Sequence, residues 1–493
     1  MQIIPLFVAI PLGMAFFIPM IGRKKPRVCD TLANLTTLAL FLMALSVIGK
    51  EGVYWMGGWA VFKGVPLGIS LVLDGVSVFM LVTITLVSFL VTIYAIQYMD
   101  RFTAKARFYS LFLLMMAGMI GVALTGDLFN LYVFLEIASI ASYALVAFGC
   151  QHEELEASFK YIVLGSVGST AILFGIAVIY SVTGNLNMAQ VSRIIGGEFG
   201  PLHLFAIALF IAGFGLKAAL VPFHAWLPDA HPSAPAPISA MLSGVLIKTI
   251  GVYAMARVMF NVFGFTPLIS NILLVLGTIS MVIGVLLALG QDDMKRFLAY
   301  SSISQVGYVV LAIGIGTRFA IAAGLFHLIN HAVGKSLLFL NSGAVEYATG
   351  TRDLNKMGAL REKMPVTGTT SLIGSMSIAG VPPFSGFWSK LLIIVAAVQA
   401  ERYGFAAWAA AVSVLTLAAF MRLQRRAFYG EPKEAYSVAK EVPGTMQVSM
   451  LGLAVLSLVL GLLWIPAAKD ALLVPAAKVL QEGMNYASSV LGM

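Results

Sequence analysis

Leu128-Phe129-Asn130-Leu131-Tyr132-Val133-Phe134-Leu135-Glu136-Ile137-Ala138 opens a stretch, 128–149, in which Glu136 is the only charged residue. A helix of about 20 apolar residues crosses the ~30 Å hydrocarbon core of a bilayer. The stretch therefore reads as a transmembrane span with a carboxylate at its middle. The rest of the chain is built the same way. Of its 493 residues, 60% are hydrophobic and 11% charged, against roughly 45–50% and 25% in soluble domains. That balance excludes a soluble enzyme, a disordered chain and a fibrous repeat. Uninterrupted apolar runs exclude a transmembrane barrel, whose strands alternate polar and apolar residues. The chain reads as an all-α polytopic membrane protein.

Charge clusters, Gly/Pro signals and apolar runs divide it into about fourteen spans: 3–21, 31–48, 71–97, 108–126, 128–149, 159–182, 203–226, 237–260, 268–290, 297–315, 320–343, 367–399, 405–428 and 446–466. Residues 467–493 are left as a short amphipathic tail. Met1 to Ile21 is apolar and precedes Arg23, Lys24, Lys25 and Arg27. This is the reverse of a signal peptide's charge order, so a retained first span is expected. Loops 22–30, 99–107, 150–160, 227–236, 291–296, 344–366 and 421–445 hold nineteen of the 31 Lys/Arg. The opposite side holds eight: Lys50, Lys63, Arg193, Arg257, Arg318, Arg402, Lys469 and Lys478. Positive residues accumulate on the cytoplasmic side, so both termini are expected on the outer face of a cell (inner) membrane. The same bias accounts for most of the +9 net charge without a nucleic-acid partner.

The chain echoes itself. Val221-Pro222-Phe223-His224-Ala225-Trp226 resembles Val381-Pro382-Pro383-Phe384-Ser385-Gly386-Phe387-Trp388, with Pro382 answering Pro222. Asp127 and Tyr143 are echoed, at one common offset, by Asp292 and Tyr308. Both echoes are five spans apart, an odd number, so the second copy must be inserted upside down. Inverted repeats with an interrupted helix in each half, here the seventh and twelfth spans, point to transporters. The helix breaks at Pro222 and at Pro382, Pro383 and Gly386 free carbonyls that water or polar side chains must satisfy.

Charged residues at mid-membrane are costly and default to function. Besides Glu136, the spans hold Lys217, Lys248, Lys335 and Lys390, with His327, His331 and Lys335 at i, i+4 and i+8 on one helix face. A structural Glu–Lys pair would explain one acid and one base, but there are too many bases for one acid. Such a row cannot be fully charged at once, which suits it to passing a proton along. His224, Asp229 and His231, at the end of the seventh span, fit a candidate cytoplasmic entrance and equally a Pro-rich turn with capping polar groups. Asp74 and Asp127 lie near the outer boundary, Asp127 as a helix N-cap, and His203 is an interface residue. The six tryptophans read mostly as an aromatic belt. Cys29 and Cys150 belong to no cluster-, haem- or zinc-binding motif, so no cofactor, no metal and no redox or hydrolytic site is expected.

The stretches Gly126–Glu136, Lys217–His231 and His327–Lys335 resemble the antiporter-like subunits of respiratory complex I, of Mrp-type cation/proton antiporters and of membrane-bound hydrogenases. The resemblance covers spans three to thirteen. It implies fourteen helices with inverted five-helix repeats in spans 4–8 and 9–13. It divides the chain into an N-terminal three-helix segment (1–107), a first repeat (108–260), a second repeat (268–428) and a last helix with its tail (429–493). It also implies a central polar axis for proton or sodium movement: Glu136 paired with Lys217, Lys248 bridging through His327, His331 and Lys335, and Lys390 at the end. Its partners would be other membrane subunits, antiporter-like relatives or a redox module among them. Lys390 leans toward the lysine-bearing relatives, the D-type Mrp subunits included. Aligning Asp127 with Asp292 puts Ser301 opposite Glu136, so the second half has no carboxylate. Two rivals stay open: a scaffold with an inert axis, and a quinone- or haem-binding redox subunit.

Overall fold

A computed structural model describes residues 2–22, 25–62 and 64–492. Arg23, Lys24 and Lys63 of the loop count lie outside the described residues. Each of the fourteen expected spans contains helix. In chain order the principal helices are α1 Leu6–Gly22, α2 Pro26–Ser46, α3 Gly75–Tyr98, α4 Lys105–Leu124, α5 Leu128–Val146 and α6 His152–Thr183. They continue as α7 Met188–Ile195, α8 Pro201–Lys217, α9 Leu227–Ser233, α10 Ala236–Val262, α11 Pro267–Leu289 and α12 Met294–Ile315. The last are α13 Arg318–Thr349, α14 Pro365–Ala379, α15 Ser385–Gln399, α16 Tyr403–Gln424, α17 Gly444–Val459 and α18 Val474–Gln481. Among the described residues, ten helices are long and apolar enough to cross a membrane, and α1, α8 and α15 are shorter apolar helices.

Capping chemistry sets several boundaries that hydropathy misplaces. Hydropathy starts the third span at residue 71, but Ser70–Leu73 is a strand paired antiparallel with Gly52–Trp55. Asp74 then caps α3, its Oδ1 accepting from the Ser77 amide at 2.9 Å. The sixth span begins well before residue 159, where the Gln151 amide donates to Glu154 at 3.0 Å and starts α6 at His152. Asp127 caps α5 as expected, accepting from Asn130 N at 2.8 Å. In the second repeat the equivalent cap is Asp293, on Arg296 N at 2.9 Å, rather than Asp292. A bridge from Asp127 to Asn187 is matched by one from Asp293 to Asp353. At this level Asp127 therefore corresponds to Asp293 and Asn187 to Asp353.

Two further expectations change. Arg257 is not a loop residue: it lies inside α10, 1% exposed, with Nη2 on Asp74 Oδ2. Burial of a guanidinium requires such a partner. Trp226 leaves the aromatic belt. It is buried, stacks on Tyr161 with centroids 4.1 Å apart, and donates from Nε1 to the Leu216 carbonyl at 3.0 Å. The amphipathic tail packs its apolar face inward: Leu473, Ala476, Ala477 and Leu480 are buried and α18 lies against the start of α3. A Cβ on Gly75 would stand 2.4 Å from the Pro475 carbonyl carbon. The core centres on α10, buried along its whole length, and on α13, buried from residue 320 to 345.

Candidate functional site, a buried polar axis

The seventh and twelfth spans are interrupted in the same way. α8 ends at Lys217, Ala219 takes φ +54°, and the chain turns through a cis Val221–Pro222 bond before α9. α14 ends at Ala379, Gly380 takes φ +84°, and a cis Pro382–Pro383 bond precedes α15. Counted from these left-handed residues, Pro222 stands third after Ala219 and Pro383 third after Gly380. Pro222 thus corresponds to Pro383 rather than to Pro382. Each break finds hydrogen bonds for its freed groups, as the membrane interior demands. At the first, Trp226 serves Leu216 O and the Val221 amide donates to Ser280 Oγ at 3.0 Å. At the second, Lys390 Nζ and Ser413 Oγ each reach Ala379 O at 3.4 Å. Pro222, Pro382 and Pro383 are exposed, whereas Gly386 is buried against the Ser377 carbonyl.

Glu136 and Lys217 are brought together, Oε1 to Nζ 3.6 Å. Ser169 Oγ donates to the same carboxylate oxygen. Lys217 also donates to Ser139 Oγ at 3.0 Å and to the Tyr143 hydroxyl at 3.2 Å. The acid is the more open partner, 24% exposed against 1% for the lysine. It lies on the α5 face that also carries exposed Phe129, Val133 and Ile140.

Lys248 occupies a π-helical stretch of α10, Leu242–Tyr253, and turns its Nζ onto the Ser243 carbonyl. π-Helical turns cluster at functional sites. The glycine one turn later, Gly251, meets the first break backbone to backbone, where a Cβ would stand 2.5 Å from Ala218 Cα. Lys248 is an electrostatic neighbour of His231, His327, His331 and Lys335.

His327 and His331 stack along α13 with ring centroids 6.2 Å apart. His327 Nδ1 shares a hydrogen with Ser389 Oγ at 2.9 Å, and both nitrogens of His331 are buried without a hydrogen-bond partner. Lys335 donates to Ser301 Oγ at 2.5 Å and Leu298 O at 3.0 Å. Lys390 lies 5.0 Å from the Tyr308 ring centre, as Lys217 lies 5.8 Å from that of Tyr143. The two tyrosines thus occupy matching places in the repeats, although one lysine precedes its break and the other follows. The capping match of Asp127 with Asp293 would make Ser302 the counterpart of Glu136, whereas the match of Tyr143 with Tyr308 keeps Ser301 there. Both are serines, so neither supplies a carboxylate.

His224, Asp229 and His231 do not converge. Asp229 joins a surface cluster with Lys160 at 3.1 Å and Arg296 at 3.5 Å. His224 is half-buried beside Tyr300. His231 is fully buried, stacked on Phe339 at 4.4 Å, with neither nitrogen bonded. Sequence reasoning missed a second buried pair at this end. Lys295 Nζ meets Glu346 Oε2 at 3.0 Å and donates to Ala234 O at 3.0 Å. Arg352 ties Glu346 (3.4 Å) to Asp293 (3.1 Å). The signal was Glu346 closing the run Ser342-Gly343-Ala344-Val345, hidden because Lys295 sits among loop charges. Lys295→Ala would leave the half-buried Glu346 with Arg352 alone. It is expected to destabilise the subunit by about 1.5 kcal/mol, the lower end for a hydrogen bond to a charged group, read as a lower melting temperature of the solubilised complex, while exposed Lys356→Ala leaves it unchanged.

A family model described as "NADH:quinone oxidoreductase/Mrp antiporter, TM" matches residues 125–416, more than half of the chain. The chain belongs to that family. A second model of the complex I chain 5 N-terminus matches residues 59–109. Antiporter-family relatives include the D-type subunit of the Na(+)/H(+) antiporter of Alkalihalophilus pseudofirmus, 38% identical over 409 residues and covering 82% of each chain. Among solved structures, a chain of the Mrp complex of Dietzia sp. superposes with a TM-score of 0.90 at 30% identity, covering 99% of each. A chain of an archaeal membrane-bound sulfane sulfur reductase superposes at 0.90 and 34% identity, covering 100% of each. This antiporter-family chain is thus a multi-pass membrane subunit of the kind found in multi-subunit ion-transporting and respiratory assemblies.

Proposed function

We propose that the chain is the ion-translocating subunit of an Mrp-, complex I- or membrane-bound hydrogenase-type assembly. It moves protons, alone or in exchange for sodium, along Glu136, Lys217, Lys248, His331, His327, Lys335 and Lys390. The observation that carries this reading is the 3.6 Å Glu136–Lys217 pair together with a π-helical lysine, on a helix that touches the first break at Gly251, that is an electrostatic neighbour of both histidines and of Lys335. Opening the pair leaves Lys217 charged without its counter-ion, which disfavours a proton on Lys248; the proton moves to the His331/His327 pair and on to Lys390. Closing it draws a proton back. Low dielectric makes each such change large.

Residues 1–107, 108–260, 268–428 and 429–493 are proposed as the N-terminal segment, the two half-channels and the closing helix with its tail. Both termini face outward in this reading. Removing Arg257 from the outer set of basic residues strengthens the charge bias that supports it. The uncovered α5 face around Glu136 is where a neighbouring membrane subunit would bear on the pair.

Lys248→Ala tests the proposal. In proteoliposomes holding the assembled complex, driven proton uptake is expected to fall about a hundredfold, the usual loss when a positioned proton carrier is removed. Uptake at the native rate, with the variant subunit present in native amount, would overturn the relay.

A further inference from the structure

The relay leaves unused a second line of polar groups on α10. Lys248, Tyr253, Arg257 and Asn261 follow one another at spacings of five, four and four residues. The helix is π-wound through Tyr253 and again over Val258–Val262, so a five-residue step is also close to one turn. The four residues therefore run along one side of a helix that has no exposed face, from the central lysine to the end of α10 remote from Asp229 and His231.

Beside that end lies a cavity of about 660 Å³, whose lining residues Asp74, Tyr486 and Val479 are touched by Arg257 and Asn261 of α10. Glu51, Lys478 and Glu482 stand around it, Asp74 and Tyr486 line it, and Val479 borders it. Two buried polar atoms there have no partner: the Tyr486 hydroxyl on the wall and Arg257 Nε behind Asp74. The Arg257–Asp74 ion pair joins the cavity wall to the α10 line. The guanidinium also packs over Tyr486, 4.6 Å from the ring centre, and donates to Asn261 Oδ1 at 3.3 Å. It is thus held from both sides without Asp74. Tyr253, between Arg257 and Lys248, donates its hydroxyl to Ala123 O at 2.7 Å.

We infer that this cavity is a vestibule through which Lys248 exchanges protons with the aqueous phase at the far end of α10, and that the Arg257–Asp74 pair is its gate. This rests on the relay proposed above and gives it a second opening. With the pair parted, the ammonium of Lys248 loses an N–H proton to water along the Tyr253 side of α10. The lysine is left as a neutral amine, and the proton leaves as hydronium past Asp74. With the pair closed, the joined guanidinium and carboxylate plug that path.

The test uses the complete complex in proteoliposomes, with passive proton flux after an imposed pH jump measured beside driven transport. Arg257→Gln is expected to raise passive flux at least tenfold, and the added Lys248→Ala change is expected to abolish the leak. An unchanged passive flux, or a leak that persists in the double variant, overturns the gate. Lys248→Ala alone separates the two ideas: if it stops driven transport while Arg257→Gln shows no leak, the relay stands and the vestibule fails. Should Arg257→Gln not assemble, Val479→Cys in a Cys29→Ser, Cys150→Ser background takes its place. A membrane-impermeant cationic thiosulfonate added at that face is expected to lower driven transport at least fivefold. Labelling without effect, or no labelling, overturns the proposal.

Discussion

Glu136→Ala is expected to reduce driven transport by the assembled complex about a hundredfold or more, with the subunit still present in native amount. The acid is only partly enclosed, so its removal leaves no sealed cavity. Lys217 keeps Ser139 and Tyr143 as hydrogen-bond acceptors at 3.0 and 3.2 Å, so the fold should survive. What disappears is the one carboxylate at the head of the axis. Without it the charge on Lys217 no longer alternates between paired and unpaired, and Lys248 receives no signal. Glu136→Asp shortens the side chain by one methylene but keeps the charge, and is expected to recover a substantial part of the rate. Native transport in the alanine variant would show that the pair is structural. A rate that falls only in step with subunit abundance would show the same.

Gly386→Ala is expected to abolish accumulation of the folded subunit, or to lower its stability by at least about 3 kcal/mol, beyond the usual range for overpacking. A Cβ at 386 would lie 1.8 Å from the Ser377 carbonyl oxygen and 2.7 Å from its carbon. Both are backbone atoms of the facing half-helix, so no side-chain rotation relieves the clash. Shifting either segment would drag Ser389 from His327 and Lys390 from the Ala379 carbonyl. Gly404→Ala in α16 is the control: nothing lies within 4 Å of its Cβ, and helix propensity favours alanine by up to about 1 kcal/mol. Equal melting temperatures for the two variants, measured on the solubilised complex, would contradict the close packing at the second break.

Most of the axis is legible in the sequence because a charge among apolar residues is conspicuous, and His327, His331 and Lys335 share a face by helix periodicity alone. The breaks are legible too, since proline cannot continue the backbone ladder. Other features are hidden for identifiable reasons. Arg257 looks like an end-of-span anchor until Asp74, distant in the chain, is found beside it. Lys295 and Glu346 become a pair only when α12 and α13 are packed together. The strand at Ser70–Leu73 is as apolar as the helix that follows, so hydropathy merges them. The counterpart of the Asp127 cap shifts by a single position because Asp292 and Asp293 are adjacent and only hydrogen bonding tells which one caps the helix. π-Winding around Lys248 leaves no compositional mark.

The contact of Gly251 with Ala218 has a mechanical consequence. Each residue lies within three positions of a lysine of the axis, and nothing larger than the Ala218 methyl group cushions the meeting of their backbones. Displacing the first interruption by even a fraction of an ångström must push the central rod at that point, much as a cam bears on a follower. The first interruption and the central helix are therefore linked by steric force. A bulkier residue at 251 would hold them permanently out of step.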